Sequence, residues 1–311
     1  MSDTLAGARV VVTGGGGFLG RHLTRALTAR GAEVRSPRRA ELDLRDVGAT
    51  VRWVQNAGAD FLIHAAATGG GIGFMQAHPA QACTDNVLMS CAAIEAARAA
   101  GVTRYVGVSS ACAYPRDAPQ PLREEHLLDG EPEPTNGPYG HAKRLMLVQG
   151  AAVAQEYGLD CAFVVPTNLY GPGDDFGPTR SHVVPALVRR FEEARRAGDP
   201  TVVCWGTGRA TRDLLHVRDC AEGIVRALEV GGGPAPVNLG SGVEHSVAAI
   251  AAAVAGAVGY TGAIVWDTTR PDGMLRKVLD TTRAHARLGW SARIPQVEGL
   301  AETVAWFRSS S

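Results

Sequence analysis

The sequence predicts an α/β fold in which helices cover both faces of a parallel sheet. Short β-branched runs alternate with segments whose apolar residues recur at helical spacing, and the first run enters a glycine-rich turn before the first helix. Glycine accounts for 38 of the 311 residues, about 12% compared with a usual ~7%. Clustered glycines are typical of places where a backbone turns tightly or approaches a ligand closely.

The elements follow from this pattern in chain order. Residues 8–13 form a β-branched run that ends at Gly14, and helical spacing continues over 18–30, where Gly31 closes the segment. The alternation continues with predicted strands at 32–35, 61–66, 104–110 and 161–166, and with predicted helices at 46–56, 79–100 and about 138–157. Strands that alternate with helices in this way form parallel sheets through right-handed crossovers.

After about residue 170 the alternation loosens. We predict a helix over 183–196, short strands at 202–205 and 237–239, and helices near 247–258 and 297–308. These elements indicate a smaller α+β cap over the mouth of the sheet. We therefore expect a dinucleotide-binding domain at 1–170 and a mainly substrate-binding cap at 171–311, with some elements returning to the first domain.

The charge balance excludes one class of partner and raises a question. The 31 basic and 31 acidic residues give a formal net charge of zero, which argues against a surface that binds nucleic acid or an anionic membrane. The basic residues are 29 arginines and only two lysines, Lys143 and Lys277. These two positions are candidates for chemistry that a guanidinium cannot perform.

The remaining composition is typical of a cytoplasmic protein without a structural metal. The six cysteines form no CxxC pair and no cluster with histidine at metal-ligand spacing. No apolar run reaches the roughly 18 residues of a membrane span, and the first residues lack the layout of a signal peptide. We expect reduced thiols, a cytoplasmic location and no metal.

The first turn predicts a dinucleotide site. The segment TGGGGFLG places Gly14, Gly17 and Gly20 after a predicted strand and before a predicted helix, with Phe18 and Leu19 between them. In that context, backbone N–H groups and a helix N-terminus face a pyrophosphate, and the last glycine allows close packing of helix and strand. The fold is therefore Rossmann-like and doubly wound.

The choice of cofactor is read about twenty residues further on, where a carboxylate favours NAD and an arginine favours NADP. Here the second strand leads into Arg38 and Arg39, with no acidic residue at that place. This favours NADP(H), while NAD(H) stays open because arginine is common throughout the chain.

A tyrosine, a lysine and a serine form the candidate reductive group. Tyr139 and Lys143 lie four residues apart at the start of a predicted helix, so they project from one face. The ammonium is expected to lower the pKa of the phenol, which then exchanges a proton with a carbonyl or hydroxyl oxygen. Ser110 follows the fourth strand at the edge where such sheets hold ligands, and can hydrogen-bond the same oxygen.

Seven segments together resemble one family. They are TGGGGFLG, VSSACAYP, PYGHAK, PTNLYGPGDDF, SHVVPALVRRF, WGTGRATRDLLHV and RPDGMLRKVLD. They resemble the extended short-chain dehydrogenase/reductases over nearly the whole chain, and within them most the GDP-L-fucose synthases, which are GDP-4-keto-6-deoxy-D-mannose 3,5-epimerase/4-reductases. The resemblance implies an NADPH-dependent enzyme that inverts and then reduces a GDP-linked 4-keto sugar.

The resemblance also implies roles for individual residues. Reduction falls to Ser110, Tyr139 and Lys143, and epimerisation falls to Cys112 as base and His182 as acid. The hydrogens on C3 and C5 of a 4-keto sugar are both α to the carbonyl, and a thiolate and an imidazole both titrate near neutrality. Ser110 and Tyr139 would stabilise the oxyanion at O4.

Further contacts follow from the same resemblance. Residues expected at the cofactor are Gly14, Gly17, Phe18, Leu19, Gly20, Arg38, Arg39, Asp43, Leu44, Ala65, Lys143, Pro166, Asn168, Leu169 and His182. Residues expected at the nucleotide sugar are Asn168, Arg190, Trp205, Arg212 and Lys277. Family members usually dimerise through two helices, which here are 79–100 and 138–157.

Two departures from the family pattern keep alternatives open. Gly16 stands where the family often has an arginine that helps to bind the 2′-phosphate, and the loop 68–74 reads TGGGIGF. The sugar can therefore be a heptose or another 4-keto sugar, with one or both of C3 and C5 inverted. A redox-neutral epimerase of the GDP-mannose 3,5-epimerase type, with bound NAD, is a second reading, although that enzyme has lysine where His182 stands. A catalytically silent NADP-binding protein is a third.

Overall fold

The computed structural model describes residues 5–270 and 272–310. The first four residues, part of the segment expected to lack a signal peptide, and Pro271, within the RPDGMLRKVLD segment, lie outside the described residues. No helix in the described ranges is long and apolar enough to span a membrane.

The first half of the chain alternates between strand and helix as predicted. Its elements are β1 (Arg9–Thr13), α1 (Phe18–Thr28), β2 (Glu33–Arg35), α2 (Val47–Ala57), β3 (Phe61–His64), α3 (Ile72–Ala77), α4 (Pro79–Ala100), β4 (Arg104–Val108), α5 (Gly137–Tyr157) and β5 (Asp160–Pro166). The short helix α3 is an addition, because six residues in a glycine-rich loop give no helical period in the sequence.

The second half is more irregular. Its elements are β6 (Asn168–Tyr170), α6 (Val183–Ala197), β7 (Thr201–Trp205), β8 (Thr211–Arg212), β9 (Leu214–His216), α7 (Val217–Val230), β10 (Val237–Leu239), β11 (His245–Ser246), α8 (Val247–Val258), β12 (Ala263–Asp267), β13 (Arg276–Lys277), α9 (Thr282–Leu288) and α10 (Gln296–Ser310). The sequence reading had omitted α7, α9 and several of the short strands.

The central sheet has six parallel strands in the order β10-β5-β4-β3-β1-β2. The chain leaves β1 toward β2 and returns to β3 on the other side, so the winding reverses between β1 and β3. Ligands of doubly wound sheets bind outside the carboxyl ends of the strands at such a reversal. The α/β, Rossmann-like prediction is therefore confirmed.

Alternate residues of the strands supply two separate cores. Val10 and Val12 of β1 pack with α1, α7 and α9, whereas Val11 packs with α2, α4 and α5 on the opposite face. Burial on both faces explains why the strands read as continuous apolar runs. A third core joins α6, α8 and α10 to the two-stranded sheet of β7 and β12.

Part of the second half lies against the central sheet. Strand β10 pairs with β5 at the edge of that sheet, and α7 packs into the same core as α1. The division of the chain at residue 170 stays a prediction.

Candidate active site

Nearly all the predicted site residues line one crevice. It has a volume of about 1000 Å³ and runs from the glycine turn along the carboxyl ends of the sheet strands to α6 and β13. Every residue predicted to bind cofactor or substrate lines it, with the exception of Arg38. No cluster of potential metal ligands occurs in the described part of the chain.

The glycine turn has a geometry that side chains would block. Gly14 has a φ of 74°, and a Cβ there would come within 2.7 Å of the backbone of Ala66. A Cβ on Gly20 would overlap the carbonyl oxygen of Gly14. No side chain caps the N-terminus of α1 at Gly17. The N–H groups of its first turn are therefore available to an anion, and the residues fit a dinucleotide pyrophosphate.

The two predicted phosphate-binding arginines differ. Arg39 lines the crevice, whereas the side chain of Arg38 is 86% exposed and its closest carboxylate is that of Glu41, 4.0 Å away. The structure thus separates Arg38 from the crevice, at the start of a turn in which the Glu41 and Leu42 N–H groups donate to its carbonyl oxygen. Arg45, which sequence reasoning missed, also lines the crevice.

Asp43 and the loop after β3 are held together by Arg45. Arg45 donates to Asp43, 2.7 Å away, and to Asp85 of α4, 3.2 Å away, and this pairing lowers the pKa of Asp43 to about 2. Asn86 also fixes the loop, since it accepts from the Thr68 N–H and donates to the Thr68 carbonyl oxygen. Asp85 and Asn86, which are adjacent in α4, thereby fix the position of this region relative to the sheet.

The predicted reductive group assembles at the end of β4. Lys143 is 2% exposed, and its Nζ donates to the Val108 carbonyl oxygen at 3.0 Å. The ammonium lies 5.8 Å from the ring centroid of Tyr139. Ser110 accepts from the Cys112 N–H at 3.1 Å and hydrogen-bonds Tyr139. The structure thus brings all three residues to one point.

The pKa of the Tyr139 phenol differs from the expectation. Desolvation inside the crevice raises the pKa of Tyr139, the nearby Cys112 raises it further, and the hydrogen bond with Ser110 acts in the opposite direction. Burial lowers the pKa of Lys143 to about 8. The expected lowering of the phenol pKa by Lys143 is therefore wrong: burial and the nearby Cys112 raise the pKa of Tyr139 instead, and the phenol is protonated at neutral pH.

Helix α5 also fixes the cysteine. A Cβ on Gly140 would come within 2.5 Å of the Cys112 carbonyl oxygen, so the glycine lets the helix approach closely. Arg144, a buried residue that the sequence reading did not select, donates to the Ala113 carbonyl oxygen at 2.6 Å. The segment that carries Tyr139 and Lys143 therefore also positions the Cys112 turn.

His182 is the N-cap residue of α6. Its side chain lines the crevice. Desolvation within the crevice lowers its pKa, and the charge of Lys277 adds to this effect. The preceding residues contact the glycine loop: the Gly71 N–H donates to the Arg180 carbonyl oxygen at 2.8 Å, and a Cβ on Gly71 would come within 2.5 Å of the Ser181 oxygen.

The surroundings of Lys277 differ from those that the sequence predicts. The sequence reading placed it at the diphosphate, on motif resemblance alone. In the structure its Nζ lies 3.8 Å from the sulfur of Cys112, and the residue is 8% exposed. The two lysines of the chain therefore both lie in the catalytic part of the crevice.

The other residues predicted to bind the nucleotide sugar also line the crevice. Arg212 donates to the carbonyl oxygens of Met274, at 2.7 Å, and Asp272, at 3.2 Å. Arg190 donates to the Val203 carbonyl oxygen. Trp205 is 62% exposed, and the guanidinium of Arg270 lies over its ring, 5.2 Å from the centroid. Asn168 lies within 3.5 Å of the Asp213 carbonyl oxygen.

Asp213 is another residue that no motif indicated. It is fully buried, and its carboxylate accepts from the Ser241 N–H at 2.9 Å and from the Leu279 N–H at 3.4 Å. It thereby holds the strand β13 in place beside β8. The pairing spans distant segments, so only an alignment of many sequences could have indicated it from sequence.

Comparisons with known proteins agree with this geometry. A model of the NAD dependent epimerase/dehydratase family matches residues 10–240. The chain belongs to that family. The predicted membership of the extended short-chain dehydrogenase/reductases is thus confirmed, and the chain is an enzyme of the oxidoreductase/epimerase type.

Several relatives within the epimerase/dehydratase family are similar over almost their whole length. GDP-L-fucose synthase of Escherichia coli (strain K12) is 38% identical, with 96% of each chain covered. Probable GDP-L-fucose synthase 1 of Oryza sativa subsp. japonica is 37% identical, with 97% of this chain and 92% of the relative covered.

Solved structures give the same fold. A GDP-L-fucose synthetase from Naegleria fowleri bound to NADP is 26% identical, with a TM-score of 0.87 and with 98% of this chain and 95% of the other covered. A GDP-6-OMe-4-keto-L-xylo-heptose reductase from C. jejuni has a TM-score of 0.92 at 24% identity, with 100% and 99% covered. The latter likeness shows the fold alone.

Proposed function

We propose that the protein is an NADPH-dependent epimerase/reductase that converts a GDP-4-keto-6-deoxy sugar by 3,5-epimerisation and 4-keto reduction. The observation that carries the proposal is convergence: Ser110, Tyr139 and Lys143 meet Cys112 and His182 in one crevice that also contains the glycine turn. The GDP-L-fucose synthases that match over the full chain support the substrate class.

Epimerisation requires a base and an acid beside the sugar ring. The Cys112 thiolate would take a proton from C3 or C5, and the electron pair would pass into an enediolate whose O4 is held by Ser110 and Tyr139. His182 would return a proton to the opposite face. Its lowered pKa makes the protonated imidazole a stronger acid but leaves a smaller fraction of it protonated at pH 7.

The reduction step converts the same sugar oxygen, O4, from a carbonyl to a hydroxyl oxygen. NADPH, when bound, supplies the hydride to C4. Tyr139, whose pKa is raised by burial, carries its proton at neutral pH, and the phenol can donate it to O4 as the alcohol forms. Lys143, with a pKa of about 8, is mostly charged at pH 7 and compensates the negative charge that then develops on the tyrosine.

The residues fit NADP(H) on two counts. The uncapped N-terminus of α1 faces the crevice, and Arg39 lines it at the place where a 2′-phosphate is recognised. The synthetase from Naegleria fowleri, whose structure contains NADP, supports the same choice.

The test follows the product in heavy water. The protein is incubated with GDP-4-keto-6-deoxy-D-mannose and NADPH, and the product is analysed by mass spectrometry and NMR. We expect deuterium at C3 and C5 together with oxidation of NADPH. Exchange without consumption of NADPH would replace the proposal with a redox-neutral epimerase, and an absence of both would contradict this substrate.

A larger 4-keto sugar, such as a heptose, is a second candidate. A Cβ on Gly69 would lie 3.1 Å from Cε of Met75 and 3.8 Å from the Tyr139 ring, so a side chain there would displace Met75 and narrow the space beside the reacting centre. Rates with a 6-deoxyhexose and a heptose substrate distinguish the two. Gly69→Val should reduce the heptose rate more than the hexose rate if the space serves the larger sugar.

We also infer a homodimer in the cytoplasm. Helices α4 and α5 pack together and leave Leu88, Leu145 and Val148 between 38% and 51% exposed, an apolar face suited to a second copy. Light scattering tests this: Val148→Glu should give monomers where the wild type gives dimers. The six cysteines are free thiols, as expected in a reducing compartment.

A further inference from the structure

We propose that Lys277 is a positioning residue for the epimerisation, acting through Cys112: its ammonium holds the thiolate and stabilises its negative charge. The proposal rests on the proposed function, because it concerns the base of that reaction. It goes beyond the diphosphate contact that the motif resemblance implies for the same lysine.

The first support is direct contact. Nζ of Lys277 lies 3.8 Å from the Cys112 sulfur, within hydrogen-bond distance for sulfur. Among the residues that the structure describes, this sulfur is the acceptor within hydrogen-bond distance of that ammonium. A positive charge so close favours a thiolate over a thiol.

The second support is rigidity. Lys277 is 8% exposed, and its backbone is fixed on both sides: its carbonyl oxygen accepts from the Asp213 N–H at 3.0 Å, and the next N–H, of Val278, donates to the Gln120 side chain at 3.2 Å. The following residue pairs with Leu122 in a bridge. A lysine held in this way keeps its ammonium at the sulfur without a large loss of side-chain entropy on catalysis.

Several other groups also face this sulfur. Tyr139 approaches from α5 and Arg212 from β8, since each has its pKa altered by Cys112. His182, from α6, has its pKa lowered in part by Lys277. Glu133 and Asp272 in turn face Arg212. Because Arg212 donates to three backbone carbonyl oxygens, Lys277 is the cation that directly contacts the thiol.

The contact also gives a reason for a lysine at this place. An arginine binds a diphosphate at least as well, through its planar fork. A compact ammonium on a flexible stem is better suited to a single sulfur atom in a narrow space between β13 and the one-turn helix Ala111–Ala113. This distinguishes a thiol contact from a purely nucleotide-binding role.

The experiment measures the reactivity of Cys112 without sugar. Alkylation by iodoacetamide is followed against pH by peptide mass spectrometry in the wild type, Lys277→Met and Lys277→Arg. Cys83, which does not line the crevice, is an internal reference. We expect the midpoint for Cys112 to rise in Lys277→Met, and to rise less in Lys277→Arg, which keeps the positive charge but not the compact ammonium.

Arg276→Met is the matched control. This neighbour in β13 carries the same charge but is exposed and pairs with Glu244 at 2.7 Å, so its loss should leave the Cys112 midpoint unchanged. Equal midpoints in the wild type and Lys277→Met would overturn the proposal. A weaker affinity for GDP in Lys277→Met, combined with an unchanged midpoint, would likewise overturn it and restrict Lys277 to the diphosphate.

A second measurement separates this proposal from the proposed function. Deuterium exchange at C3 and C5 of the 4-keto sugar should be slower in Lys277→Met, with its pH profile displaced upward by the same amount as alkylation. If the wild type exchanges neither position, the proposed function fails, while a displaced alkylation midpoint would still support the lysine–thiol contact.

Discussion

The two ends of the crevice are built in different ways. The cofactor end, defined here as the turn at 13–20 with residues 39–45, comes from consecutive segments of β1, α1 and β2. The sugar end, defined as Cys112, His182, Arg212 and Lys277, comes from four elements that are far apart in the chain. The first end depends on local backbone geometry and the second on long-range packing, so mutations should affect them differently.

The largest expected effect lies where the two ends meet. Tyr139→Phe removes the proton donor for O4, so the rate of reduction should fall by about 10²- to 10⁴-fold. Exchange at C3 and C5 should fall less, because Ser110 still contacts the oxyanion. NADPH oxidation and deuterium incorporation are measured in parallel. Tyr157→Phe, at the exposed end of the same helix, is the control, and an equal loss in both variants would contradict the assigned role.

Substitutions at the cofactor end should act by disturbing the backbone of the glycine turn. Gly20→Ala places a methyl group against the Gly14 carbonyl oxygen, which should cost about 1–3 kcal/mol of stability and weaken NADPH binding. Gly16→Ala meets no atom within 4 Å and should change stability by less than about 0.5 kcal/mol. Urea unfolding and NADPH titration test both. Similar losses in the two variants would show that the turn is not the sensitive feature.

Lys143, near the boundary of the two ends, should make the free energy of unfolding depend on pH, because its charge is buried. Its pKa is about 8 in the folded protein and 10.5 when exposed, so between these values the unfolded chain binds more protons. Rising pH then stabilises the folded state through this group, by up to about 1.4 kcal/mol per pH unit.

Other groups titrate in the same range, so the measured quantity is a difference. The free energy of unfolding is determined by urea at pH 7.5 and pH 10 for the wild type and Lys143→Met. The wild type should gain relative to the variant as the pH rises. A difference that does not vary with pH would mean that the lysine is not desolvated as the structure indicates.

The smallest expected effect tests the choice of cofactor. Gly16 faces open space and has no positive φ, so Gly16→Arg should be accepted without strain. The added guanidinium can reach a 2′-phosphate, and the preference for NADPH over NADH should increase by about tenfold. Titration with both cofactors measures it. An unchanged ratio would mean that Arg39 already neutralises the phosphate or that the turn lies elsewhere.

The difference between local geometry and long-range packing also explains which features the sequence could predict. Alternating strands and helices, the turn at 13–20 and the spacing of Tyr139 and Lys143 are local patterns, and the structure contains them nearly as predicted. The contacts of Lys277 with Cys112, of Asp213 with β13 and of Arg144 with the Cys112 turn join segments far apart in the chain. A single sequence carries no local signal for such pairs.

The electrostatics of the site were also hard to predict. The sequence places a lysine four residues from Tyr139, but only the packed structure shows that burial raises the pKa of the phenol. Arg38 and Arg39 are indistinguishable as letters, and their difference comes from the direction of each side chain. Short elements such as α3 and β13 depend on the surfaces against which they pack.

The attachment of the Cys112 turn to α5 limits how this catalyst can be redesigned. Gly140 and Arg144 connect the turn to the helix that carries Tyr139 and Lys143, so a change that shifts the helix moves both sets of reactive atoms together. Selection for a faster reductase through α5 would therefore alter the inversion step as well. Independent adjustment of the two activities is better sought in β13, whose Lys277 contacts the sulfur, and at the start of α6, neither of which carries Tyr139 or Lys143.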